Sequence, residues 1–130
     1  MSKTIIATES APAAIGLYSQ GTVAGNTLYT SGQLGLNPAT GTLLEGIEAQ
    51  ARQAFQNVAA ITEAAGATLG DALKVTIFLS DMNNFAVVNN VIGEFVSAPY
   101  PARSCVAVLA LPKGALVEIE AIVDLSRKNA

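Results

Sequence analysis

Histidine is missing from this chain of 130 residues, and that one absence closes more chemistry than any motif opens. Without imidazole there is no His-based general acid–base catalysis, no serine or cysteine nucleophile of the kind that relies on it, and no route to most zinc sites. Whatever chemistry the chain performs falls to carboxylates, arginine, tyrosine, serine, backbone groups and water. Cysteine occurs once, so no internal disulfide can form, as suits a reducing compartment. No GxGxxG or Walker-type loop follows a strand, which leaves nucleotide and phosphate-bearing cofactors unsupported. Neither a cofactor nor a metal is expected.

Charge is also scarce. Asp, Glu, Lys and Arg make up 13% of the residues while apolar types make up 51%; an ordinary soluble domain carries about 25% charged residues. A monomer this poor in charge leaves apolar surface in water, and such surface usually marks a partner interface, so a homo-oligomer is expected. The net charge is -3, and no run of Lys or Arg interleaves with aromatics, which makes nucleic acid an unpromising partner. The segment MSKTIIATESAP lacks an apolar stretch of signal-peptide length, and the longest apolar run, CVAVLAL, is far short of a membrane span. A cytoplasmic protein with no membrane partner is the expectation.

What is present alternates between the two regular periodicities across one expected domain, residues 1–130. Residues 3–8 and 27–34 read as strands, the second preceded by the turn signal Gly25-Asn26. A polar loop, GLNPATGT, follows. From Glu45 to Ala65, apolar residues recur at helical spacing, and Gly66 stands where a C-terminal stop belongs. Residues 72–80 form a β-branched strand. Asp81 to Asn84 supply caps for a second helix from Phe85 to Val96, ended by Pro99 and Pro101. Strands 103–111 and 116–124 close the chain across the turn Pro112-Lys113-Gly114. The order predicts an α+β domain with a mixed sheet and two helices packed on one face, the other face meeting water or another subunit. Gln50, Gln53 and Gln56 read as a solvated helix face.

Alternation then places the charges. Val117, Ile119, Ala121 and Val123 share the face suited to lie under the helices, while Glu118 and Glu120 point the other way. Arg103 opens the strand PARSCVAV, is permanently charged, and shares a face with Cys105. If the last two strands pair antiparallel across their turn, Arg103 and Glu118 share a face of neighbouring strands.

PARSCVAV followed by VEIEA, with IGLYSQG and YTSGQLG upstream and AQARQAFQNVAAITEAAG in the first helix, resembles the Rid family (YjgF/YER057c), most closely its RidA-type enamine/imine deaminases. The resemblance spans nearly the whole chain. It implies a chorismate-mutase-like fold, a homotrimer whose sheets close into a central barrel, and sites in the clefts between subunits. It also implies a cofactor-free hydrolysis of 2-iminobutanoate and 2-iminopropanoate to 2-oxo acids and ammonia. Arg103 would anchor the substrate carboxylate through two parallel hydrogen bonds, and Glu118 would serve as the acid–base group. By resemblance Tyr18, Ser31, Gly32, Asn89 and Cys105 line the pocket, Gly32 letting backbone approach the ligand closely. Leu17, Ile92, Leu109 and a short 96–102 stretch depart from the family pattern.

Each of these residues has a plainer reading. Arg103 would then be a structural ion-pair partner of Glu118 or Glu120, with Glu118 merely neutralising it, Cys105 a small buried hydrophobe, Tyr18 and Ser31 partners for local backbone, and Asn89 a helix-surface residue. Two further functions stay open: a non-catalytic small-carboxylate binder or regulator on the same fold, and the ribonucleolytic or translation-inhibiting activity attributed to some relatives.

Overall fold

The computed structural model, which describes residues 3–127, folds the chain into one seven-stranded sheet and two α-helices. The strands are β1 (Thr4–Ile6), β2 (Gly21–Ala24), β3 (Thr27–Thr30), β4 (Gln33–Leu34), β5 (Ala72–Leu79), β6 (Ala102–Ala107) and β7 (Val117–Asp124); the helices are α1 (Ile47–Ala64) and α2 (Phe85–Ile92). Along the sheet the order is β1-β2-β3-β7-β5-β6, with β4 also on β7. Only the β5–β6 pair is parallel among the described strands. The mixed α+β architecture stands as expected.

Alternation carries the core. On β7, Val117, Ile119, Ala121 and Val123 are buried while Glu118, Glu120, Ile122 and Asp124 are only partly covered. Val75, Ile77 and Leu79 of β5 lie directly opposite Ala121, Ile119 and Val117, so one face of the sheet is continuously apolar, and Ala54, Phe55 and Val58 of α1 close over it. The opposite face carries Thr76, Phe78, Tyr29 and Ile122 beside the two glutamates, with no element of the described chain laid across it.

Three departures from expectation have physical causes. Residues 21–24 form a strand, because Gly25 at φ 60° turns the chain into a tight hairpin that pairs Gly21–Ala24 with Thr27–Thr30. The segment 27–34 is two strands: β3 pairs with β7 from Thr27↔Asp124 to Tyr29↔Ile122, whereas β4 pairs Gln33↔Ile119, a slip of one residue. The extra residue bulges out at Ser31–Gly32. Across the break the Ala121 N–H donates to the Thr30 hydroxyl at 3.0 Å, and the Ser31 N–H turns away to the Gln20 carbonyl at 2.8 Å. Finally, α2 ends at Ile92, capped by Gly93, and does not run to Val96. The chain there tightens into three-residue turns as Phe95 stacks on Phe55, ring centroids 5.2 Å apart, and Glu94 takes a paired hydrogen bond from Arg52 at 2.6 and 2.8 Å.

The largest correction concerns pairing. β6 and β7 are not neighbours; β5 lies between them, antiparallel to β7 and parallel to β6. Parallel neighbours need a crossover, and α2 supplies it. β6 is therefore an edge strand.

Candidate active site

Arg103 sits opposite Val75, which sits opposite Ala121; directly opposed residues share a face. Its side chain therefore projects on the helix-bearing face, as does that of Cys105, opposite Ile77. Glu118 lies opposite Phe78 on the other face. Within one chain the cation and the carboxylate stand two strand spacings apart and three residues out of step along the strands, roughly 14 Å in all, and on opposite sides of the sheet. They do not meet, and the pairing that would have joined them is absent.

Each belongs instead to its own constellation. On the helix side, Phe85 and Asn89 are four residues apart on α2 and so face the same way. Asn89 Oδ1 accepts a hydrogen bond from Arg103 Nη1 at 2.6 Å, and the Arg103 Cζ lies 5.0 Å from the centre of the Phe85 ring. The planar guanidinium is thus held on one edge and one face, with no further hydrogen-bond partner for its other N–H groups among the described residues, at a cleft of about 450 Å3 also lined by Ile92, Val96 and Tyr100. Phe85 is the residue that sequence reasoning missed; only the crossover of α2 past β6 brings it under the arginine. Cys105 packs against the core, and burial pushes its thiol pKa up, only partly offset by the Arg103 charge. A thiol so shifted is a poor nucleophile.

On the opposite face, Glu118, Tyr18, Ser31 and Gly32 line a second cleft of about 830 Å3, with Lys113 at its rim. Burial, and secondarily the like charge of Glu120 two residues on, raises the Glu118 pKa. That brings the carboxyl closer to neutrality, the direction that suits proton exchange. Ser31 is already engaged: its hydroxyl donates to the Ser19 carbonyl at 2.5 Å, leaving it acceptor capacity only. The Tyr18 hydroxyl accepts at long range, 3.4 Å, from the Ile15 N–H and keeps its own proton to donate.

The lobe that carries Tyr18 is pinned by Gln20, 4% exposed. Its amide donates to the carbonyls of Thr8, Ala11 and Pro12 and accepts from the Thr8 N–H at 2.6 Å. The loop that walls the same cleft is held from α1. Asn57 donates to the Leu34 and Leu36 carbonyls at 3.1 and 3.0 Å, and Gln50 donates to the Leu44 carbonyl while accepting from the Leu116 N–H. The solvated-face reading of the glutamines fails for Gln50, which is 4% exposed, because the loop folds back over that side of the helix. Gln53 is half-buried against Asn57, and Gln56 is exposed.

The family model described as endoribonuclease L-PSP matches residues 8–125. Over 125 residues, 94% of this chain and 97% of the relative, the chain is 54% identical to the 2-iminobutanoate/2-iminopropanoate deaminase of Escherichia coli K12. It is 50% identical to the protein of the same name from Dermatophagoides farinae, covering 93% and 95% of the two chains. Among solved structures, RidA from an Antarctic Psychrobacter superposes with a TM-score of 0.91 at 53% identity, covering 93% of this chain and 98% of that one. E. coli TdcF with bound serine superposes with a TM-score of 0.89 at 44% identity, over the same shares.

Proposed function

This chain belongs to the Rid (YjgF) family, and on that premise we propose that it hydrolyses small 2-imino acids, 2-iminobutanoate and 2-iminopropanoate, to 2-oxo acids and ammonia without a cofactor. The observation that carries the reading is the Arg103 guanidinium, fixed by Asn89 and Phe85 at the mouth of a cleft with donors to spare. A planar fork so held matches a carboxylate through two parallel hydrogen bonds, and the restraint lowers the ordering cost of binding.

The active unit is a ring of copies, in keeping with a homotrimer whose unhelical sheet faces close around a central barrel. Two features support this. Arg103 and Glu118 open on opposite faces of one chain, so a site containing both takes one from each of two subunits. Large apolar side chains also stand in water beside both clefts: Ile15 at 80% exposure and Leu17 fully exposed next to Tyr18, and Tyr100 at 72% beside Arg103. Apolar area of this kind is what subunit contacts cover. Gly32, Ser31, Tyr18 and Glu118 of one subunit then face Arg103 and Asn89 of the next, with Cys105 packed behind the arginine. Asn89 acts chiefly by holding Arg103.

In this site the carboxylate anchor sets C2 of the substrate. Water oxygen bonds to C2, and one of its protons passes through the Glu118 carboxyl to the imine nitrogen, giving a carbinolamine. The hydroxyl proton follows the same route as the C–N bond breaks and its electrons stay on nitrogen. Ammonia leaves and the 2-oxo acid remains, with Glu118 returned to its starting state. Imines hydrolyse in water unaided, so orientation and one proton carrier suffice.

Threonine supplied to a threonine dehydratase, with imine decay followed above neutral pH, tests the reading. The chain is expected to accelerate decay over buffer, and Arg103→Ala to abolish the acceleration with the oligomer intact. No acceleration by the wild type would leave a carboxylate-binding oligomer instead. The endoribonuclease description of the family finds little footing here, with net charge -3 and no histidine; RNA cleavage surviving moderate salt in pure protein would reinstate it.

A further inference from the structure

Gly32 lies in the bulge between β3 and β4, and its backbone gives no reason for glycine. The described glycines with positive φ are Gly25, Gly41, Gly46, Gly66 and Gly114; Gly32 is not among them. Space gives the reason. A Cβ at Gly32 would lie 2.8 Å from both Cδ and Oε2 of Glu118 and 3.0 Å from its Cγ. Gly35 makes an instructive contrast, since a Cβ there would strike the Gln50 backbone at 2.5 Å, an unyielding contact of helix packing. At Gly32 the obstacle is the far end of one flexible side chain, so an added methyl would move the carboxyl rather than the fold.

We propose that Gly32 is a positioning residue for Glu118: the missing side chain is the seat of the carboxyl. This rests on the reading of Glu118 as the proton carrier, and it gives Gly32 a role separate from backbone contact with the ligand. Ordinary contact begins at 3.4 Å, so Gly32→Ala displaces the carboxyl by about 0.6 Å or more. A misplacement near 1 Å costs on the order of 100-fold in rate.

The test is a double-mutant cycle of Gly32→Ala and Glu118→Asp in the imine-decay assay, with pH–rate profiles and thermal melts. Gly32→Ala is expected to lower kcat by on the order of 10- to 100-fold, to leave KM nearly unchanged because Arg103 is untouched, and to shift the pH limb assigned to Glu118. Aspartate, one methylene shorter, withdraws from the new methyl, so the double variant is no worse than Glu118→Asp alone. Losses that multiply would overturn the proposal, because Gly32 would then act on the ligand directly. Should Gly32→Ala lose stability, the loss is expected to vanish in a Glu118→Ala background, where the clashing atoms are gone; a loss that persists there refutes the contact. Full activity of Glu118→Gln would remove the proton-carrier reading itself, a different failure from multiplicative losses.

Discussion

If Arg103 and Glu118 work from opposite faces of one sheet, two chains each lacking one of them are expected to rescue each other. Arg103→Ala keeps Glu118 and Glu118→Gln keeps Arg103, and each variant alone is dead. In a closed ring every site draws its arginine from one subunit and its glutamate from the next. When the two variants are unfolded, mixed in equal amounts and refolded together, half of all positions supply an arginine. Half of their neighbours supply a glutamate, so about one quarter of sites are whole, whatever the number of subunits in the ring. Turnover of threonine-derived imine in the mixture is therefore expected at about 25% of wild type, against background for either variant refolded alone. The yield is expected to track the mixing ratio, with its maximum at equal parts. Mass spectrometry of the intact assemblies verifies that mixed oligomers formed. Mixed oligomers without recovered activity would refute the reasoning, since both groups would then have to act from the same chain, which the sheet forbids.

Three further outcomes are expected. Arg103→Ala lowers kcat/KM by at least about 100-fold through loss of two charged hydrogen bonds, whereas Phe85→Leu, which removes only the aromatic face under the guanidinium, raises KM several-fold, in line with about 0.5 to 1 kcal/mol for such a contact; equal losses would mean that Phe85 does more than support. Asn57→Ala removes two hydrogen bonds, to the buried Leu34 carbonyl and the part-buried Leu36 carbonyl, and lowers stability by about 1 to 3 kcal/mol in urea titration, with a change near zero showing that water replaces the amide. Glu118 has a pKa raised above the ordinary 4.5 by burial and by Glu120, so its contribution to stability is complete below 4.5 and is lost as pH climbs through the raised value. In dissociated chains, where no second subunit's Arg103 faces the carboxyl, Glu118→Gln is therefore expected to melt above wild type at pH 7 and to converge with it in acid; a lower melting temperature of the dissociated variant at pH 7 contradicts this.

The parts of the fold that local pattern governs were legible. The helix over 47–64 announced itself through apolar residues every three to four positions and a glycine stop, and Gly66 does adopt φ 92°. The β7 alternation was equally clear, because a strand with one buried face must alternate. Signals of the Ser31–Gly32 break were present but unread: a glycine inside a strand pattern marks a bulge or a close approach, and here it marks both. Gln50 misled because its periodicity places it beside Gln53, and only the return of the 35–44 loop across that side of α1 buries it.

The hardest feature to read was the one on which the site turns. Strands close in sequence pair more often than not, so a short turn such as Pro112-Lys113-Gly114 invites β6 and β7 to be neighbours. Insertion of β5 between them is decided by contacts distant in sequence, Val75 against Ala121 and Arg103 against Val75, which no local window contains. That single change of neighbour reverses the meaning of the charges. With β6 beside β7 the two residues would be a neutral pair on one surface and need no second chain. With β5 between them, Arg103 is left to α2 and Glu118 to the open face, so neither meets a counter-charge among the described residues, and on the proposed reading each acts on a ligand in a site that a second subunit completes.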